Sequence, residues 1–131
     1  ISAVWSTRRD WSRCKTLRET CQRMTAVRGV GRFTSYQTAL DMALSEWFAP
    51  TDAETWCSIQ AGSRAGLKRV APGAADPVAT VVEICGAARR SLRGRDEMFA
   101  RLGLHDVEHS LCELDKYERG GAARKYKLKA I

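Results

Sequence analysis

The chain has 131 residues, of which 44% are hydrophobic and 28% charged, and its formal net charge is +7. This length and composition suit one folded domain with its own core and argue against intrinsic disorder except at the ends. No apolar run reaches the ~20 residues that span a bilayer. The first residues, ISAVWSTRRDW, lack the charged-then-apolar order of a signal peptide. We therefore expect a cytoplasmic protein with no membrane partner.

The cysteines exclude two common small scaffolds. There are five, and they contain no C-x-x-C pair: Cys14, Cys21, Cys57, Cys85 and Cys112. An odd number of widely spaced cysteines argues against a disulfide framework and against a zinc ribbon. We expect reduced thiols that pack as small hydrophobic side chains.

The first predicted helix covers residues 7–28 and has two distinct faces. Its apolar positions recur at intervals of three and four residues: Cys14, Leu17, Cys21 and Met24. Basic residues fall within roughly 80° of one another on another side: Arg8, Lys15 and Arg23. The glycines of GVG at 29–31 end this helix.

A second helix is predicted over 35–48 and a third over 51–70. The inner face of the second is formed by Tyr36, Ala39, Leu40, Ala43 and Trp47. Pro50 ends it, and TDAE at 51–54 matches a capping box that starts the third helix. Gly62 and Gly66, four residues apart, indicate close packing against another helix.

The fourth helix has the most regular apolar stripe in the chain. Asp76 is its predicted N-cap and Pro77 its first residue. The stripe consists of Val78, Val81, Val82, Cys85, Ala88 and Leu92. This pattern predicts the central core helix, which ends at Gly94 within RRSLRGR, residues 89–95.

Two further helices and a tail complete the prediction. Asp96 caps a short helix, EMFARL, and the last helix runs over about 105–119. Residues 1–121 thus form an all-α, single-domain bundle of five to six helices. Residues 122–131 form a basic tail in which lysines alternate with other residues, and this period of two indicates an extended segment.

One short motif resembles a metal site. HDVEH at 105–109 matches the H-x-x-E-H pattern of the inverted zincin peptidases, in which His105 and His109 would bind zinc and Glu108 would act as base. Such enzymes need another acidic ligand well downstream, but only 22 residues follow His109. No G-K-[ST] phosphate loop is present either. We therefore predict no metal, no cofactor, no catalytic residue and no enzymatic activity.

Residues 98–121, MFARLGLHDVEHSLCELDKYERGG, resemble the helix-turn-helix of bacterial regulators. The interval from Ala100 to Gly103 is one residue shorter than in that family. The helix that would enter the major groove also carries five acidic residues: Asp106, Glu108, Glu113, Asp115 and Glu118. DNA phosphates would repel them. We interpret this segment as a packed helical pair.

Three basic segments favour a phosphate polymer as partner. They are the face of the first helix, the arginines of RRSLRGR and the tail. The predicted contacts beyond the first helix are Arg89, Arg90, Arg93, Arg95, Lys125, Tyr126, Lys127 and Lys129. Tyr126 can stack on a base, while the other contacts are to the backbone. Arginines in a last helical turn also complement the helix dipole, so the RRSLRGR cluster alone does not indicate a phosphate-polymer partner.

In its size, helicity, basic charge and RRSLRGR cluster, the chain resembles the small helical subunits of CRISPR–Cas effector complexes. That resemblance implies a non-enzymatic subunit that holds RNA or single-stranded DNA by its phosphate backbone. It also implies assembly with other subunits, possibly copies of itself. Two alternatives stay open: a helix-turn-helix DNA-binding regulator or phage protein, and a helical protein-interaction module without nucleic acid.

Overall fold

The computed structural model describes residues 13–93 and 101–120. These ranges contain five helices and no strand: α1 (Leu17–Thr25), α2 (Arg32–Ala43), α3 (Ala61–Val70), α4 (Pro77–Leu92) and α5 (Leu104–Glu118). The all-α class is confirmed. The chain divides into two compact units, Ile1–Ser58 and Ile59–Ile131. No helix in the described ranges is long and apolar enough to cross a membrane. The tail and most of the predicted EMFARL helix lie outside these ranges.

In the first unit, α1 is capped from two sides. The Thr16 hydroxyl accepts a hydrogen bond from the Glu19 amide at 3.0 Å. The Asp52 carboxylate accepts from the amides of Leu17 at 2.6 Å and Arg18 at 3.1 Å. A carboxylate at this end also complements the helix dipole. The predicted helix over 7–28 is therefore too long, because residues 13–16 precede the capped start at Leu17.

The predicted capping box at Thr51 is wrong. Residues 51–55 form turns, and α3 begins only at Ala61. The polar groups of the turn bond to the start of α1 instead. The Thr51 amide donates to the Lys15 carbonyl at 2.9 Å, beside the Asp52 cap. The segment that resembled a helix start is thus used to hold another helix.

A tight turn joins α1 to α2. Gly29 has a φ of +86°, a left-handed conformation that favours glycine. The hydroxyls of Thr25 and Ser35 lie 2.9 Å apart and link the end of α1 to the first turn of α2. The core of this unit comes from both helices and the following segment: Leu17, Cys21, Met24, Tyr36, Ala39, Phe48 and Cys57. The Tyr36 ring meets Trp56 edge to face, with centroids 5.9 Å apart.

The predicted second helix is shifted. The helix begins at Arg32 and ends at Ala43, rather than covering 35–48. Tyr36 and Ala39 are buried as predicted. Trp47 was expected on the inner face but is 95% exposed. The helix ends at Ala43, so the helical spacing that would have placed Trp47 on the inner face does not apply to it.

In the second unit, α3 and α5 cross at a glycine. A Cβ placed on Gly66 would overlap the Leu111 carbonyl oxygen and lie 2.6 Å from the Leu111 carbonyl carbon. A Cβ on Gly62 would overlap the Cys112 sulfur. The prediction that these glycines serve helix packing is confirmed. The buried Asp115 carboxylate of α5 pairs with the exposed Arg69 of α3 at 3.0 Å, and with Arg119 at the end of its own helix at 2.7 Å.

The start of α4 matches the prediction. Asp76 accepts hydrogen bonds from the amides of Val78 at 3.0 Å and Ala79 at 3.1 Å, and Pro77 is the first helical residue. The prediction that α4 is the central core helix is wrong. Only Val81 and Cys85 of its predicted stripe are buried. The closest helix packing in this unit is instead between α3 and α5, at the glycines of α3.

Candidate nucleic-acid interface

Exposed basic residues are concentrated in the first third of the chain. Within residues 13–32 there are six basic residues and one acidic residue, Glu19. All six basic side chains are exposed: Arg13, Lys15, Arg18, Arg23, Arg28 and Arg32. This stretch carries a net charge of +5, that is six minus one, on one small structural unit. Such a surface attracts phosphate polymers.

The charge is most concentrated at residues 28–33, hereafter the basic turn. It has the sequence RGVGRF and runs from the end of the α1–α2 connection into α2. Arg28 and Arg32 are both exposed there. Gly31 is the N-cap of α2 and makes no side-chain cap.

The charges of α2 reinforce its dipole instead of compensating it. Within α2 the first turn has no acidic residue and the last turn no basic one. Arg32 lies at the positive end, while exposed Asp41 and Glu46 lie at or beyond the other end. Opposite placement would stabilise the helix. The positive potential of the arginines therefore adds to that of the helix end.

Neither the backbone conformation nor the packing around position 31 requires a glycine. The Gly31 φ of −83° is ordinary for any residue. Among the described residues, no atom lies within 4 Å of a Cβ placed there. Ser, Asp or Asn would cap the helix better. A missing side chain at this point leaves room for a close approach by another molecule.

The predicted basic face of the first helix is not formed as expected. Arg8 lies outside the described residues, and Lys15 precedes α1, which starts at Leu17. Arg23 is exposed but pairs with Glu19 at 2.9 Å. The prediction that Lys15 and Arg23 share a helix face is therefore wrong. Arg28 and Arg32 were not among the predicted contacts, although residues 1–32 contain eight basic and two acidic residues, a net charge of +6 that indicates this region.

The arginines of RRSLRGR have different environments. Arg89 is half-buried and its Nε donates to the Leu102 carbonyl at 2.6 Å. It holds the chain that leads into α5. Arg90 and Arg93 are exposed at the end of α4, where cations complement the dipole. Arg95 lies outside the described residues, as do the tail residues Lys125, Tyr126, Lys127 and Lys129. Their predicted role stays a prediction.

The two histidines of HDVEH each lie beside their own acidic neighbour. His105 Nε2 is 3.4 Å from Asp106 Oδ1, and His109 Nε2 is 3.5 Å from Glu108 Oε2. The two rings are 6.4 Å apart, edge to face. In the part of the chain that the structure describes, no group of three or more His, Cys, Asp or Glu side chains could hold a metal. Glu108 is buried, which does not suit a base that must meet substrate.

Helix α5 has the character of a packed helix. Val107, Leu111 and Asp115 are buried, and the helix contacts α3 and α4. Glu113 and Glu118 are exposed on it. Lys116, exposed beside them, pairs with Glu113, and the remaining carboxylate does not favour entry into a DNA groove. The helix that would precede it in a helix-turn-helix lies mostly outside the described residues.

The cysteines are structural in character. None of the five forms a disulfide, and Cys14, Cys21, Cys57 and Cys85 are buried. This agrees with the prediction of reduced thiols that pack as hydrophobic side chains. Burial, with a smaller contribution from the Asp52 carboxylate, raises the pKa of the Cys21 thiol to about 11. The thiolate that a nucleophile needs is therefore scarce at neutral pH.

A scan of known protein families gives a match over most of the chain. A family model described as "5-hmdU DNA kinase, helical domain" matches residues 5–126. No curated protein matches, and no solved structure does. Nothing in these comparisons indicates a CRISPR–Cas effector subunit, so that resemblance stays a prediction. Because the match extends over nearly all of the 131 residues, the chain belongs to the family of 5-hmdU DNA kinase helical domains.

Proposed function

We propose that this chain holds DNA by its phosphate backbone for a DNA kinase and does not itself transfer the phosphoryl group. The observation that carries the proposal is the basic turn with its exposed Arg28 and Arg32, in a family named for a DNA kinase. The family name favours DNA over the RNA considered from the sequence.

The electrostatics of the first unit support phosphate contacts. The arginines of the basic turn are exposed, whereas Arg23 is paired with Glu19 and Arg89 with a backbone carbonyl. A guanidinium that keeps its donors available can bind a phosphate with two parallel hydrogen bonds. These contacts do not read sequence, and they release counterions, so affinity must fall steeply with salt.

Phosphoryl transfer belongs to another part of the kinase in this proposal. The 131 residues contain no G-x-x-x-x-G-K-[ST] loop to cradle nucleotide phosphates. The catalytic part would lie elsewhere in the same polypeptide or in a partner. The direct check is incubation of this chain alone with nucleotide and DNA containing 5-hmdU. Phosphate incorporation would contradict the non-enzymatic role.

Fluorescence anisotropy with a labelled DNA duplex tests the binding proposal. We expect the logarithm of the affinity to fall linearly with the logarithm of the salt concentration. The double variant Arg28→Gln/Arg32→Gln should reduce the slope by about 1.8, since each duplex phosphate contact contributes about 0.9. The loss should be the same for unrelated sequences, and RNA should compete weakly.

Arg23→Gln is the matched control. It removes one exposed arginine from the same unit, but Glu19 already pairs with that arginine. We expect a smaller change in slope than either arginine of the basic turn gives. Absence of DNA binding at low salt would contradict the proposal, and a double variant that binds like the unmodified protein would remove the basic turn from the site.

A second candidate function is docking on a protein, favoured by two exposed apolar side chains. Leu44 and Trp47 follow α2 and are 84% and 95% exposed. Large apolar side chains exposed to this extent are typical of interaction surfaces when they form a patch. If they dock on the catalytic part of the kinase, Trp47→Ala should weaken that complex without changing DNA affinity. Equal affinity of the variant and the unmodified chain would reject this role.

A further inference from the structure

Phe33 is an exposed aromatic side chain at the positive end of α2. Its exposed fraction is 64%, although it lies in the first turn of a helix. It directly follows exposed Arg32 and lies five residues after exposed Arg28. A phenyl ring exposed to this extent contributes little to the core of its own unit.

Charge distinguishes Phe33 from the other exposed apolar residues of the first unit. Leu44 and Trp47 lie beyond the far end of α2, next to exposed Glu46. A phosphate polymer is repelled there and attracted to the basic turn. Of the exposed aromatic rings in the described part of this unit, Phe33 is therefore the one that a bound DNA strand would reach.

We propose that Phe33 stacks on a DNA base that has left its duplex stack, while Arg28 and Arg32 hold phosphates of the same strand. This inference rests on the proposed DNA-holding function. Aromatic rings stack on every base, because each base has a π face. Several classes of enzyme that act on a base in DNA take it out of the helix, and apolar side chains inserted between base steps help to open the stack.

The backbone beside Phe33 leaves access for a strand. Among the described residues, no atom lies within 4 Å of a Cβ placed on Gly29 or Gly31. Gly29 needs its left-handed conformation, but Gly31 has neither a conformational nor a packing requirement in this chain. A sugar–phosphate strand can thus come close to the turn and bring its bases to the phenyl ring.

Two DNA probes test the inference. One is a fully paired duplex, and the other has the same sequence with a single mismatched 2-aminopurine, whose fluorescence rises when the base leaves the stack. We expect the unmodified chain to bind the mismatched duplex more tightly and to increase its fluorescence. Phe33→Ala should lose about tenfold in affinity for the mismatched duplex, within the range that base–aromatic stacking gives.

Three comparisons separate stacking from charge and from misfolding. Phe33→Ala should leave the salt slope unchanged, since no charge is removed, and Phe33→Trp should restore both affinity and fluorescence. Trp47→Ala, which removes a more exposed ring from the acidic end of α2, should bind DNA like the unmodified chain. Circular dichroism should show equal helix content in all variants.

The possible failures differ in their meaning. If the unmodified chain binds DNA with a steep salt slope but Phe33→Ala binds equally well, the stacking role is overturned and the phosphate-holding function stands. If the unmodified chain binds neither duplex, both are overturned. If Phe33→Ala loses affinity equally for the paired and mismatched duplexes without any change in fluorescence, Phe33 contacts DNA without stacking on an extruded base.

Discussion

Replacing Gly66 by alanine tests the crossing of α3 and α5. The new Cβ would lie 2.6 Å from the Leu111 carbonyl carbon and 3.0 Å from its Cα, where ordinary contacts begin at 3.4 Å. These are backbone atoms, so no side chain can turn away, and the helices must separate by about 1 Å. That movement also stretches the 3.0 Å bond between Arg69 and Asp115.

The magnitude is a balance of opposing contributions. Overpacking costs about 1–3 kcal/mol, and weakening the partly buried hydrogen bond between Arg69 and Asp115 adds about 1 kcal/mol. In the opposite direction, alanine stabilises the folded state by about 1 kcal/mol, because it favours a helix more than glycine does. We expect the free energy of unfolding to fall by about 2 kcal/mol, which for this chain length lowers Tm by about 6–10 °C.

Thermal and urea denaturation followed by circular dichroism measure this change. Gly73→Ala is the matched control, because no described atom lies within 4 Å of a Cβ at that position. Its free energy of unfolding should stay within about 0.5 kcal/mol of the unmodified chain. A Gly66→Ala protein as stable as the Gly73→Ala protein would refute the close helix contact.

Three further predictions concern the first unit. Asp52→Ala should lower the free energy of unfolding by about 1–2 kcal/mol, because the amides of Leu17 and Arg18 lose their acceptor; urea denaturation measures it, and no change would show that Asp52 is not a cap. Gly31→Ser should raise the free energy of unfolding by a few tenths of a kcal/mol. Its side chain should also obstruct an approaching strand and weaken the DNA affinity measured by anisotropy, so an undiminished affinity would show that the strand does not pass close to residue 31. Folding raises the pKa of the Cys21 thiol from 9.0 to about 11, because the folded state favours the neutral thiol. This preference stabilises the folded state fully below pH 9, and the contribution is lost as the pH rises through 11. The stability difference between the unmodified chain and Cys21→Ala should shrink over that window, and a constant difference would reject the shift.

Local rules predicted part of the fold well. The start of α4 was correct because an aspartate N-cap followed by proline satisfies its own helix, within three residues. The same kind of rule failed at Thr51. There the neighbouring Asp52 binds the amide of Leu17, 35 residues earlier in the chain, and nothing in the local pattern shows such a partner.

The candidate site was predicted only in its general position. The positive charge of the first 32 residues indicated the region, but the choice of residues depended on a helix assumed to pass through Lys15. Since α1 starts at Leu17, the helical angles that were assumed for the residues before it do not describe where their side chains lie. The exposure of Arg28, Arg32 and Phe33 follows from the α1–α2 turn, which periodicity does not describe.

If the chain holds DNA as proposed, the arrangement of charge along α2 would orient it during the approach. With Arg32 at one end and Asp41 and Glu46 toward the other, the first unit carries a permanent electric moment along this helix. The field of a polyanion exerts a torque on such a moment and turns the basic turn toward the strand before any contact forms. Encounters would then begin in a narrow range of orientations, an advantage that fades once the Debye length falls to about 3 Å, near 1 M salt.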